Sequence, residues 1–150
     1  MPEKATLERA HEDAREGKSA STQAGEFVRE EMHHIREGKH GAASARQAIA
    51  IGLSKARRAG VKLQAPQKGK TSTRTKKQAE RDYDKGQTHA AGKPSPTRSR
   101  ATSAALKKEG HSAASHRALS QHAQAAARKR SASARHDSAM KASRTRRNAS

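Results

Sequence analysis

Lysine and arginine recur in short clusters along the second half of this 150-residue chain: Lys68, Lys70, Arg74, Lys76 and Lys77, then Arg98 and Arg100, Lys107 and Lys108, Arg128, Lys129 and Arg130, and finally Arg144, Arg146 and Arg147. Cations spaced in this way suit contact with the phosphates of a polyanion. Such contacts release condensed counterions, so affinity falls with salt at a slope of about −0.9 per phosphate. They place a protein on a duplex without reading its sequence. A second basic set, Lys39, Arg46, Lys55, Arg57, Arg58 and Lys62, occupies a stretch from 38 to 63 that holds no carboxylate. On a helix this set has two readings: a recognition helix touching base edges, or a solvated face, which the spread of the side chains round the axis favours.

Nine histidines raise the question of metal ligation. His33, His34 and His40 flank a helix end. Neighbouring helical side chains point about 100° apart, however, and no cysteine or carboxylate triad completes a site at zinc spacing. His111, His116 and His122 lack i, i+4 spacing as well. No metal and no cofactor are therefore expected, and the histidines read as a reserve of positive charge below about pH 6.5. The chain has no cysteine, which excludes disulfides and thiol nucleophiles.

Leu, Ile, Val and Phe supply only eleven of the 150 residues, far under the roughly 20% below which high net charge signals disorder. Catalysis needs a rigid scaffold, so neither an enzyme nor a small-molecule substrate is expected. Phe27 and Tyr83, the latter between Asp82 and Asp84, are the only aromatic rings of the Phe, Tyr and Trp class. They make no stacking platform of the kind that single-strand readers use. Duplex DNA is the expected partner, with structured RNA as the other polyanion that backbone charge alone would accept.

The elements that must position these groups follow from charge and periodicity. Residues 1–37 carry a net charge of −3, residues 38–63 of +6 and residues 64–150 of +16. Leu7, Phe27, Val28, Met32, Ile35, Ile49, Ile51, Leu53, Val61 and Leu63 all precede residue 64. Helices are expected over about 3–16, with Leu7, Ala10 and Ala14 on one side, and over about 22–36, with Ala24, Phe27, Val28, Met32 and Ile35 in a stripe. Gly17 and Gly38 would end them. A third begins at Ser44, whose pairing with Gln47 reads as a capping box, and buries Ala45, Ile49, Leu53 and Ala56 before Gly60 stops it. Ile51 falls on the far side of this helix, where a further helix or a second copy of the chain would have to cover it.

Weaker helical signals start at Ser95-Pro96 and at Ser112, each with a single leucine to pack. The acidic first helices are expected to pack against the basic third. A motif of a basic residue, Glu, Gly and a basic residue recurs at Arg15-Glu16-Gly17-Lys18, Arg36-Glu37-Gly38-Lys39 and Lys108-Glu109-Gly110-His111, each copy reading as a joint between helices.

The run Met32-His-His-Ile-Arg-Glu-Gly-Lys-His-Gly41, followed by Arg46-Gln-Ala-Ile-Ala-Ile-Gly-Leu-Ser-Lys-Ala-Arg-Arg-Ala-Gly60, resembles a family of small, basic bacterial proteins that carry a domain of unknown function. The likeness covers roughly residues 24–63. It implies bacterial origin and a helical hairpin, and brings no activity with it. The Lys/Arg/Ala/Ser-rich end of the chain is similar in composition to the tails of bacterial histone H1-like proteins.

The expected fold is all-α: a small N-terminal helical hairpin or three-helix module over 1–63, a linker over 64–96, and a basic tail over 97–150 that is largely disordered or conditionally helical. The expected function is nucleic-acid binding through phosphates at a bacterial nucleoid. The alternative is a helical hairpin that docks on a protein partner and uses the tail as an electrostatic tether. So few apolar residues over 3–63 also point to a homodimer. No stretch approaches the roughly 18 apolar residues of a membrane span and the N-terminus has no apolar core of a signal, so a cytoplasmic location is expected.

Overall fold

The computed structural model describes residues 1–88 and 95–148. Its elements are helices in chain order: α1 (Lys4–Arg15), α2 (Ala20–Arg36), α3 (Ala45–Arg58), α4 (Thr73–Gln87), α5 (Pro96–Lys108), a 3-10 turn (Ser112–Ala114), α6 (His116–Arg128) and α7 (Ala132–Asn148). Among the described residues there is no strand, only a single bridge from Lys68 to Thr71. The chain divides into two compact units, Met1–Ser115 and His116–Ser150. No described helix is long and apolar enough to cross a membrane.

Local chemistry sets the helix ends. Ser19, Ser44 and Ser72 each open a helix by accepting the backbone N–H three residues on, from Thr22, Gln47 and Thr75 respectively. At Ser44 the Gln47 side chain also reaches back, its Oε1 accepting the Ala43 N–H at 2.7 Å. The expected stop at Gly60 is a Schellman motif: the Val61 N–H donates to the Ala56 carbonyl at 3.1 Å and Gly60 itself has φ +94°. Lys18 and Lys39, after Gly17 and Gly38, bond back in the same way. The third copy of the motif departs from this pattern. The carbonyls of Leu106 and Gly110 instead accept the N–H groups of Gly41 and Ala42, at 2.9 and 3.1 Å, so the end of α5 is tied to the loop between α2 and α3.

Small side chains form most of the core. Ala10, Ala24, Phe27, Ala56 and Val61 are buried together, with Leu7, Ala20, Leu53, Ala59 and Leu63 packed round them. Phe27 and Ile35 are fully covered. On α3 the deepest positions are Ala45, Ala48, Gly52 and Ala56, while Ile49 and Leu53 of the expected face are half-buried. Gly52 marks the crossing of α2 over α3, since a β-carbon there would stand 2.7 Å from the Val28 Cα.

The expected disordered tail is not what the chain forms. Within the segment read as linker, α4 packs on α3 through Ala79, Asp82 and Gly86. This stripe contains no large apolar side chain, and large apolar residues are what the sequence reading counted. Asp82, 1% exposed, accepts from Ser54 Oγ at 2.7 Å, from Arg58 Nε at 2.8 Å and from Gln78 Nε2 at 3.1 Å. Gly86 lets the helix come so close that a β-carbon would fall 1.8 Å from the Arg57 carbonyl oxygen. Ile51, one turn before Ser54, is half-buried. The Gly92-Lys-Pro portion of the expected linker lies outside the described residues.

Farther along, the 3-10 turn buries Ala113 and Ala114 and packs against α2 and α3, and Arg36 Nε donates to the Ala114 carbonyl at 2.9 Å. α5, α6 and α7 bury no residue, yet they are helices rather than disordered chain. Between Ser95 and Asn148 the only glycine is Gly110 and the only proline is Pro96, at the first position of α5. Alanine, arginine, lysine and glutamine fill most of the rest, and these have the highest helix propensities. Within the second unit, Ser131 caps α7 by accepting the Ala134 N–H at 3.2 Å.

Candidate functional site

The basic residues fall into two groups according to what surrounds them. In the first, the charge is engaged by other groups of the fold. Lys55 Nζ lies 3.2 Å from Glu30 Oε1 and 2.6 Å from Glu31 Oε2. Arg57 is buried, donating to the carbonyls of Leu63 at 3.0 Å and Gln64 at 3.4 Å. Burial draws its pKa below the ordinary arginine value, against the pull of Asp82. Arg58 holds Asp82, Lys39 bridges Glu3 and Glu37 at 3.2 and 3.1 Å, and Lys76 lies one turn from Glu80 at 3.6 Å. Of the basic set on 39–62, Lys39, Arg46, Arg58 and Lys62 are exposed, Lys39 and Arg58 while held in ion pairs.

The second group faces solvent. Lys68, Lys70, Arg74, Lys77, Arg98, Arg100, Lys107, Lys108, Arg128, Lys129, Arg130, Arg144, Arg146 and Arg147 are all exposed. Arg130 also crosses to α7, donating to the Ala134 carbonyl at 3.1 Å and to Ser138 Oγ. Residues 95–148 contain thirteen Lys and Arg but only two carboxylates, Glu109 and Asp137. Local pairing therefore cannot neutralise them, and the excess is available to an external polyanion.

A different arrangement gathers around the C-terminal half of α2. Glu30 and Glu31 are 4% and 1% exposed. Burial opposes the charge on Glu30, but the Glu3 backbone N–H at 3.0 Å, the Thr6 hydroxyl and the Lys55 ammonium outweigh it and hold the carboxyl below its usual range. Glu31 Oε1 lies 2.7 Å from His40 Nε2, while its Oε2 is buried with no hydrogen bond in line, Lys55 being its ion-pair partner. His34 Nε2 sits 2.8 Å from Glu3 Oε1. That contact, with Lys39 behind it, keeps the Glu3 carboxyl below its ordinary value. One donor atom each from Glu31, His34 and His40 lies within 4.8 Å of the others.

The spacing of His33, His34 and His40 in the sequence shows no carboxylate that completes a zinc site. The carboxylate is Glu31, three residues before His34 and so on the same face of α2. His33 points elsewhere and pairs with Glu37 at 2.9 Å. The overlooked signal was Glu-x-x-His on a helix, followed by a histidine just past the Gly38 stop.

No family model, no curated protein and no solved structure matches this chain.

Proposed function

We propose that the protein binds duplex DNA without sequence preference, through phosphate contacts from the exposed Lys and Arg of residues 68–77 and of α5, α6 and α7. The observation that carries this reading is the composition of those last three helices: thirteen basic side chains against two carboxylates over residues 95–148, on helices that bury nothing. α5 and α7 have no apolar stripe and so little use as packing elements. The width of a helix suits a major groove, and the absence of aromatic platforms favours a duplex over a single strand. Helices formed before binding also avoid the ordering cost of a disordered tail. A place at the bacterial nucleoid follows from this reading.

Against the reading in which the Ala-Ile-Ala-Ile segment docks on a protein partner, α3 is packed against α2 and α4, and among the described residues the exposed large apolar side chains are Met1 and Met140. The case for a dimer through 3–63 rests on a shortage of core, which the alanines and glycines of α3, α4 and the 3-10 turn make up within one chain.

The test is fluorescence anisotropy of a labelled 30-base-pair duplex titrated with the full chain across a salt series. The variant changes Arg128, Lys129, Arg130, Arg144, Arg146 and Arg147 together to Gln. Binding should be insensitive to shuffling the sequence, and the variant should lose up to about five from the salt slope at roughly 0.9 per phosphate contact. A wild-type chain that does not bind near physiological salt, or an unchanged slope in the variant, refutes the proposal.

A further inference from the structure

We propose that Glu31, His34 and His40 form a binding site for a divalent transition-metal ion of the zinc class, which ties α2 to the loop that follows it. The donor set is two imidazoles and one carboxylate, the combination that suits zinc and its neighbours rather than calcium or magnesium.

Three independent features of the cluster point to a cation. The first is the hydrogen bonding of His40. Its Nδ1 lies 3.0 Å from the Gly41 carbonyl oxygen, which can only accept, so Nδ1 carries the hydrogen. Its Nε2 faces a second acceptor, Glu31 Oε1, at 2.7 Å. With the hydrogen on Nδ1, Nε2 presents its lone pair to the Glu31 oxygen, and a cation placed between these two acceptors would serve both. A backbone carbonyl held by the opposite ring nitrogen is the usual orienting contact of a metal-binding histidine.

The second feature is charge. Glu30 and Glu31 are both buried, and one ammonium, that of Lys55, lies between them. Buried carboxylates need opposite charge close by, and Glu31 Oε1, the oxygen away from Lys55, meets His40 Nε2 at 2.7 Å. The wholly buried Oε2 has no hydrogen-bond donor in line. The third is convergence: the His34 and His40 rings stand edge to face, 83° between planes with centroids 6.2 Å apart. One donor atom from each ring and one from Glu31 lie within 4.8 Å of one another.

Binding competes with protonation of the rings. The Nε2 lone pair of His40 goes to the metal, and the second hydrogen of any protonated ring leaves to solvent. Glu31 keeps Lys55 on Oε2 and gives Oε1 to the ion, and His34 supplies one ring nitrogen. Glu3 Oε1 lies 2.8 Å from His34 Nε2. The loop that carries His40 is also the one whose Gly41 and Ala42 hold the end of α5. A bound ion would therefore fasten both sides of that loop, a common device where the apolar core is small.

The experiment uses the full chain. Zinc is titrated by calorimetry in two buffers of different ionisation enthalpy, and histidine-ring nitrogen–proton correlation spectra are recorded at sub-stoichiometric zinc. The expected result is saturation at one ion per chain with proton release, ring signals of His34 and His40 changing first, and a rise in Tm with zinc concentration. His40→Ala and His34→Ala should each weaken binding at least about 100-fold, while His122→Ala leaves it unchanged. The spectra of the unsubstituted chain decide the matter even if a substitution unfolds it. Non-saturating uptake, or first changes at other histidines, marks adventitious surface binding and overturns the proposal. So does retention of affinity in both His34→Ala and His40→Ala.

Discussion

Replacing Gly86 by alanine tests whether α4 is part of the fold. In an isolated helix the change is favourable by roughly 1 kcal/mol, because glycine is among the poorest helix formers and alanine the best. Against the Arg57 carbonyl the sign reverses. The new β-carbon would lie 1.8 Å from that oxygen, and α4 has to retreat by about 1.2 Å to restore even 3.0 Å. Both atoms of the clash are fixed to backbone, so no rotamer change relieves it. Overpacking of this kind costs about 1–3 kcal/mol. The retreat also stretches the contacts from Ser54 and Arg58 to Asp82, now 2.7 and 2.8 Å, past hydrogen-bond length. Hydrogen bonds to a charged group contribute about 1.5–3 kcal/mol each, of which a partial loss is expected. After the helix gain is subtracted, the net loss is about 2–4 kcal/mol. For a unit of this size that lowers Tm by roughly 8–15 °C. Gly25→Ala in α2 is the matched control, since nothing lies within 4 Å of its β-carbon. It should gain about 0.5–1 kcal/mol. Thermal and urea unfolding followed by far-ultraviolet circular dichroism would measure both. A Gly86→Ala chain as stable as wild type or more so would refute the close packing of α4 on α3.

Two further outcomes follow from the buried polar groups. Asp82→Ala leaves Ser54 and Arg58 without their acceptor at a covered position and should cost about 2–4 kcal/mol in urea unfolding, with Asp82→Asn milder; a loss under about 0.5 kcal/mol would contradict the arrangement. Glu30 is held below its ordinary value near 4.5, so its folded form favours the charged state. Its contribution is complete above that value and disappears as pH falls through 4.5 toward the lower folded value. The urea midpoint should therefore decline below about pH 4.5, and Glu30→Gln should flatten the decline. An identical slope in that variant would remove Glu30 as the cause.

The first three helices are legible because large apolar residues and glycine stops agree, joined at the third by a serine cap. Leu7, Phe27, Met32 and Ile35 mark the inner faces, Ser44 and Gln47 open α3, and Gly60 with Val61 closes it. The start of α5 is also written in the chain, as Ser95-Pro96, whereas Ser112, read as the cap of the next helix, opens the 3-10 turn and α6 begins only at His116. α4 was hidden because its inward stripe is alanine, aspartate and glycine, which read as turn and linker; only its pairing with Ser54, Arg58 and the Arg57 carbonyl, all on another helix, turns them into an interface. The last third is more helical than its scarcity of packing partners implies, because alanine, lysine and arginine, interrupted between Ser95 and Asn148 only by Pro96 and Gly110, favour helix locally. The pairing of acidic α2 with basic α3 was anticipated and is seen at Lys55. The triad of Glu31, His34 and His40 was not, since the carboxylate precedes the histidines on the same face and the third member arrives only after the chain has turned at Gly38.

A core knit from alanine, glycine and buried carboxylates has a thermodynamic signature of its own. Exposing apolar surface raises heat capacity by about 0.45 cal/K/mol per Å², and exposing polar surface lowers it by about 0.26. Where helices meet at Gly52 and Gly86, unfolding uncovers backbone and methyl groups rather than large hydrocarbon side chains. The heat-capacity increment per residue should then fall below the usual ~12–15 cal/mol/K, which flattens the dependence of stability on temperature. Such a protein holds a modest stability over a wide thermal range and lies far from cold denaturation.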